Sequence, residues 1–409
     1  MRPLSIRGKR VFVAVSLVLS TSYVNAQQLP ERWQQTVQQH PSVQAAEEQA
    51  EALIQQGQQL NQPLYNPTLS SRLDREGDIN NYAVGLSQTI DWSTGNEARA
   101  SQSDAMTALA MSVYRQSASE HAKTLLNAYV QWFDAKRRYD LAQQQEQFVQ
   151  QAIKLVSERR KAGDLSAIDE QLTLLALSRQ LQQTASAYQQ LQSTQAKLNA
   201  LLPGAPANEL SLSEDMFQFT PDLTARWQQH PAIKAAYLKW QLKRANIDWK
   251  RSLTTANPTV GVEAGESDNE NVVGLTFSIP LQLRNNYSNA VQAASREALA
   301  EEKRVIALKR QWEASLESSL NNYRFVKNQW QSWQQNFQAR QAESMQLIEQ
   351  SWLAGDLSTT DYLTAMQQQL DSQFAGIGLQ TQYRLAAIEW LYRSGKLSET
   401  LELQPLSNQ

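Results

Sequence analysis

The stretch Tyr82-Ala83-Val84-Gly85-Leu86-Ser87-Gln88-Thr89-Ile90-Asp91-Trp92 alternates over its whole length. One parity holds Tyr82, Val84, Leu86, Gln88, Ile90 and Trp92; the other holds Ala83, Gly85, Ser87, Thr89 and Asp91. Period two with one apolar parity is the pattern of a strand whose two faces meet different surroundings. A second stretch does the same, with Val273, Leu275, Phe277, Ile279 and Leu281 set against Gly274, Thr276, Ser278 and Pro280. Weaker alternation precedes each: Leu69 and Leu73 against Thr68, Ser70 and Arg72, then Val260 and Val262 against Thr259, Gly261 and Glu263. The sequence therefore predicts two hairpins, at about 67–92 and 258–282, turning near Gly77 to Asn80 and near Glu266 to Glu270.

The hairpins belong to a duplication that covers the chain. His40-Pro41 returns as His230-Pro231, Asn66-Pro67 as Asn257-Pro258, Val84-Gly85-Leu86-Ser87 as Val273-Gly274-Leu275-Thr276, and Gly163-Asp164-Leu165-Ser166 as Gly355-Asp356-Leu357-Ser358. The offsets, 190, 191, 189 and 192 residues, keep both order and spacing. A repeat of this kind is read before any local motif. The helical pattern stops at Leu202-Pro203-Gly204-Ala205-Pro206, which divides the chain into 27–204 and 205–409.

Each half reads alike. Pro41 and Pro231 suit the first turn of a helix, where a missing N–H costs nothing, and these helices should run to about Leu60 and Leu253. Asn66-Pro67 and Asn257-Pro258 end them, because a residue before proline is pushed towards extended backbone. After the hairpins come proline-free helical spans, about Asn96 to Lys161 and Asn286 to Leu353, each ~100 Å long at 1.5 Å per residue. Both stop at Ala-Gly-Asp-Leu-Ser, where Gly163 or Gly355 can take the left-handed C-terminal position and Ser166 or Ser358 can cap the next helix. Return helices are expected over Ala167 to Leu202 and Thr359 to Ser394. Leu181, Ala185, Tyr188, Leu191, Leu198 and Leu202 are expected in a coiled-coil-like core.

Four strands per chain cannot close a barrel, which needs about eight before it can hold even side chains, and a lone hairpin is barely stable in water. The hairpins must be pooled between copies. Two copies give eight strands and a filled interior; three give twelve and room for a lumen. In such a barrel Tyr82, Val84, Leu86, Ile90, Trp92, Val273, Leu275, Phe277 and Ile279 face lipid, and the Gly, Ser and Thr parity faces water.

Targeting and composition agree with export. Arg2, Arg7, Lys9 and Arg10 precede an apolar run from Val11 to Leu19, and Val24-Asn25-Ala26 follows, so residues 1–26 read as a signal peptide cut after Ala26. The run is about half the ~18 residues of a spanning helix. With 41% apolar residues and no second apolar run, a helical membrane span is not expected, although a barrel leaves no such run either. There is no cysteine, hence no disulfide or thiol nucleophile. A net charge of -2 without a basic patch argues against nucleic acid. The three histidines, His40, His121 and His230, form no ligand spacing, and no phosphate-binding glycine loop occurs, so neither enzyme activity nor a metal or other cofactor is expected.

The order of His-Pro helix, Asn-Pro strand, hairpin, long helix, Ala-Gly-Asp-Leu-Ser turn and return helix, present twice, resembles the TolC outer-membrane efflux family across essentially the whole mature chain. Gly85 to Trp92 and Gly274 to Asn285 are similar to that family's strand-to-helix junctions, and Ser278 to Asn285 resembles the CzcC-like cation-efflux branch. The resemblance implies a homotrimer with a twelve-stranded barrel in the outer membrane and a helical tunnel in the periplasm. It further implies docking of a periplasmic membrane-fusion adaptor, fed by an inner-membrane pump of the RND type, and heavy-metal or small-molecule export. The tips Gly163-Asp164-Leu165 and Gly355-Asp356-Leu357 would contact the adaptor. Asp169 and Asp361, six residues past the turn glycines, match acidic gate positions, although a second acidic residue found in some relatives is replaced by Leu172 and Thr364. A duct for type I secretion or multidrug efflux is the alternative within the family. A periplasmic coiled-coil scaffold or adaptor is the alternative outside it.

Overall fold

The computed structural model describes residues 29–202, 212, 214–217, 219, 227–268, 270–401, 403 and 406; the expected signal peptide and the 203–206 connector lie outside them. The chain runs α1 (Glu31–Gln39), α2 (Pro41–Leu60), β1 (Thr68–Glu76), β2 (Ile79–Thr89), α3 (Gly95–Ala162) and α4 (Ala167–Leu201), then α5 (Pro231–Ser252), β3 (Thr259–Ser267), β4 (Glu270–Ser278), α6 (Ser288–Asn336), α7 (Gln341–Ala354), α8 (Thr359–Arg393) and α9 (Lys396–Glu399). It is mainly α, with one small antiparallel sheet in the order β1-β2-β3-β4. The two hairpins thus lie side by side, joined by β2 and β3.

Around the helical part, α3 lies between α2 and α4 on one side and α5 and α8 on the other, and α6 packs outside α5 and α8. Two short helices in line accompany each long one. At 68 residues, α3 is ~100 Å long. Half of its buried positions are Gly, Ala or Ser, with Ala98, Ala105, Ala110, Ala118, Ala122 and Ala135 under 9% exposed. The principal core lies midway along the helices, around Trp33, Leu125, Leu126, Leu198, Tyr323 and Trp390. There Tyr323 and Tyr383 donate to the Phe217 carbonyl (2.9 and 2.7 Å), so the segment linking the halves is held by buried hydroxyls.

Three expectations are corrected. The second long helix is not continuous: α6 ends at Asn336, a 3-10 turn covers Gln338–Arg340, and α7 starts at Gln341. Neither proline nor glycine marks the break. The Asn336 side-chain amide donates to the Ser332 carbonyl (2.9 Å), but the same bond at Thr107, Ser112 and Thr124 leaves α3 unbroken, so it does not itself end the helix; Phe337 beyond it is exposed rather than packed in the core.

Next, Ile90, Trp92 and Ile279 fall past the strand ends. Pro258 lies between Ile90 and Ile279 in the register. The Ile90 N–H reaches its carbonyl at 2.8 Å, but Pro258 has no N–H to return, and the ladder stops. Finally, Leu198 and Leu202 are buried, whereas Leu181, Ala185 and Tyr188 are exposed because, among the described residues, no element packs on the outer side of α4.

Candidate functional site

Two surfaces stand at opposite ends of α3, and the first is the sheet. Register places Leu69, Leu86, Val262 and Leu275 in one cross-strand row, with Ser71, Val84, Ala264 and Val273 in the next. Leu73 and Tyr82 continue this face towards the turns, and Val260 with Phe277 towards the helices. All the large apolar side chains on it are exposed, with Leu275 at 86%, Val273 at 80% and Leu73 at 85%. Each leaves roughly 1.5–3 kcal/mol of burial unrealised while it stays in water. Tyr82 and Phe277, near the two ends of the sheet, suit the aromatic borders of a lipid-facing band, and Trp92, off the strand but exposed, donates to the Ala256 carbonyl at 2.8 Å.

The opposite face carries Gly, Ser and Thr, with Ser70, Gly85, Glu263 and Gly274 in one row and Thr68, Ser87, Gly261 and Thr276 in another. Neighbouring strands come close here: a Cβ on Gly265 would stand 2.0 Å from the Tyr82 carbonyl oxygen. Where the sheet meets the helices, Arg99 and Asp91 form a buried ion pair (3.7 Å, side chains 6% and 8% exposed). Arg99 also donates to the Gln62 carbonyl (3.1 Å) and lies 5.6 Å from the Trp249 ring centre. Breaking a buried pair of this kind is strongly destabilising because the remaining charge is left unpaired. Sequence reading passed over this joint; Asp91, the one charged residue of the alternating stretch, was its local sign.

The second surface is formed by the two helical turns. Gly163 and Gly355 have φ of 86° and 87°, as the turn reading required. At the first, Asp164 N–H donates to the Arg159 carbonyl (2.9 Å) and Gly163 N–H to the Arg160 carbonyl (3.0 Å); at the second, Asp356 donates to Ser351 (2.9 Å) and Gly355 to Trp352 (3.1 Å). These are paired C-terminal capping bonds. The turn residues Gly163, Asp164, Gly355 and Asp356 are exposed, whereas Leu165 and Leu357 are half-buried.

Asp169 and Asp361 are placed three residues past the capping serines. Ser166 Oγ accepts the Asp169 N–H at 3.3 Å and donates to its carboxylate at 2.7 Å, which also accepts the Ser166 N–H at 3.1 Å. Ser358 and Asp361 share the corresponding bonds at 3.1 and 2.7 Å. The Asp169 carboxylate therefore completes a capping box, whereas that of Asp361 holds only the Ser358 hydroxyl; both stand where the helix dipole favours negative charge.

The turns are not independent. Trp352 stacks on Tyr362 with ring centres 4.2 Å apart and planes 7° from parallel. Arg159 of the first turn lies over Trp352 and donates to the Leu353 carbonyl at 3.0 Å. Val156, Met366, Leu165 and Leu357 complete the cluster. Just behind it, a groove of about 400 Å³ between α3, α4 and α8 is lined by Phe148, Leu172, Leu175, Leu363 and Thr364. Sequence reading missed the Trp352–Tyr362 stack, since neither aromatic recurs in the other half.

The histidines lie away from both surfaces. His40 and His121 stack at 3.8 Å, and burial, followed by the charge of His40, lowers the His121 pKa to about 4. Burial, with Arg393 nearby, lowers that of His230 to about 4. Among the described residues no three acidic or histidine side chains are grouped to hold a metal ion, and no helix is long and apolar enough to cross a membrane.

The fold is that of solved outer-membrane channels. The chain superposes on CusC, described for its transmembrane channel formation, with a TM-score of 0.73 at 12% identity, over 89% of this chain and 91% of that one. For the open outer-membrane channel MtrE of Neisseria gonorrhoeae the TM-score is 0.71 at 16% identity, over 98% of both chains. For the outer-membrane protein VceC of Vibrio cholerae it is 0.70 at 13%, over 89% and 95%. No protein-family model and no curated protein matches the chain. At such identities the likeness concerns the fold, a helical body carrying four strands per chain.

Proposed function

We propose that three copies of this chain pool their sheets into a twelve-stranded barrel in the outer membrane and act as the passive exit duct of a tripartite efflux system. One observation carries the reading: a four-stranded sheet with one largely apolar, exposed face and, among the described residues, no strand paired to the outer edges of β1 and β4. Lipid covers such a face, and a neighbour's strand satisfies each edge. The shared fold with solved outer-membrane channels supports it.

The helices support closure of the same ring. Leu174, Leu181 and Tyr188 are exposed at seven-residue intervals along α4, as are Leu299 and Ile306 along α6, at opposite edges of the chain. Heptad spacing is that of a coiled-coil seam, so α4 of one copy meets α6 of the next and the helices enclose a periplasmic tunnel. In this reading residues 1–26 direct export, 27–204 and 205–409 are duplicate repeats, and the duct itself catalyses nothing. The tips Gly163-Asp164-Leu165 and Gly355-Asp356-Leu357 dock the membrane-fusion adaptor, and Asp169 and Asp361 ring the tunnel entrance as its gate. The likeness of Ser278 to Asn285 to the cation-efflux branch favours heavy-metal ions delivered by an RND-type pump.

Membrane fractionation tests the proposal. The account expects the mature protein in the outer-membrane fraction as an oligomer that dissociates on heating. A monomer that stays in solution without detergent contradicts it and favours a periplasmic scaffold.

A further inference from the structure

We propose that Glu263 sets the charge selectivity of the duct where it passes through the sheet, an inference that rests on the shared barrel proposed above. Glu263 lies in the middle of β3 on the polar face, in the row Ser70, Gly85, Glu263, Gly274. The adjacent rows are Thr68, Ser87, Gly261, Thr276 and Arg72, Ala83, Gly265, Val272. Arg72 is offset by Asp74 at 3.8 Å on the same strand, and Glu270 stands at the turn. Among the described residues, nothing donates a hydrogen bond or an ion pair to the Glu263 carboxylate.

Both cross-strand neighbours of Glu263 are glycines. A Cβ on Gly274 would meet Glu263 Cγ and Oε1 at 3.2 Å, and one on Gly85 would meet its Cβ at 3.4 Å. The side chain therefore leans over Gly274, and neither flanking position carries a side chain to screen it from the lumen. Three copies place three such carboxylates at one level of the barrel. A low-dielectric wall focuses the field of like charges into the water it encloses, and rings of acidic side chains favour cations. At ~10 Å from the axis, close to the Debye length in about 0.1 M salt, the ring raises cations and lowers anions by roughly twofold each. In about 1 M salt, where screening acts within ~3 Å, the preference fades.

Reversal potentials of the purified full chain in a planar bilayer, under a KCl gradient at about 0.1 M, test this. E263Q is expected to lower the K⁺ to Cl⁻ permeability ratio roughly fourfold and E263K to lower it further. E266Q, on the lipid-side face three residues on, is expected to leave the ratio at its wild-type value. A conducting pore whose reversal potential is the same in wild type, E263Q and E263K overturns the assignment of Glu263 and leaves the channel reading standing. So does an equal shift in E266Q. A protein that forms no pore overturns the channel reading and this inference with it.

Discussion

The two helical turns solve the same problem with different chemistry. Positions 160 and 170 flank the first turn, and positions 352 and 362, each 192 residues later, flank the second. In the first they are Arg160 and Glu170, joined as an ion pair with side chains 47% and 18% exposed. In the second they are Trp352 and Tyr362, stacked and 4% and 0% exposed. The duplication kept the geometry of a clamp between outgoing and returning helix and let burial choose its chemistry. Where water reaches, charges suffice; where the turn packs on its twin, aromatic area takes over.

Breaking each clamp separately gives the largest contrast. Trp352→Ala is expected to cost about 3–5 kcal/mol, as truncation of a buried aromatic does, while Glu170→Ala costs about 0.2–1 kcal/mol because its partner is half in water. Denaturant melts of the two variants measure the difference, and only the Glu170 effect should shrink in salt.

Acid should produce an effect of similar order in each half. His121 and His230 both have pKa values lowered from 6.5 to about 4 by burial. The folded state resists protonation that the unfolded state accepts, so stability is full above pH 6.5 and falls as pH drops towards 4. Urea midpoints at pH 7 and 5 should converge in His230→Phe relative to wild type; an unchanged pH dependence would count against the burial of the neutral ring. The smallest effect sharpens the likeness between the turns. Ser166→Ala and Ser358→Ala should each cost about 1 kcal/mol, the usual value of an N-cap. Unequal losses in thermal melts would mean that the two caps are not equivalent.

What the sequence disclosed was local. Pro41 and Pro231 start helices, Gly163 and Gly355 end them, and alternation fixed which side of the sheet is apolar, all from the conformational limits of single residues. What it hid depends on contacts between distant elements. The break after Asn336 falls in a stretch without proline or glycine, where Phe337 is exposed rather than packed on a neighbour. The exposure of Leu181 and Tyr188 follows from the edge position of α4, which no period reveals. Strand ends were misjudged at Ile90, Trp92 and Ile279 because one proline, Pro258, limits the strands on both sides of it. For the candidate sites, the turn glycines and the serines after them were legible, whereas the Trp352–Tyr362 stack, the serine bonds of Asp169 and Asp361 and the Arg99–Asp91 joint needed side-chain positions.

The central claim, that copies share one barrel by pairing β4 with a neighbour's β1, can be tested by cross-linking in the outer membrane. The chain has no native cysteine, so Ser71→Cys can be combined in turn with cysteine at each of Val272, Val273, Gly274, Leu275 and Thr276. Disulfides form only where Cα atoms come within about 7 Å. The account predicts that at least one adjacent register yields a covalent three-chain ring after oxidation, reversed by a reductant. Chains that remain single at every register would contradict it.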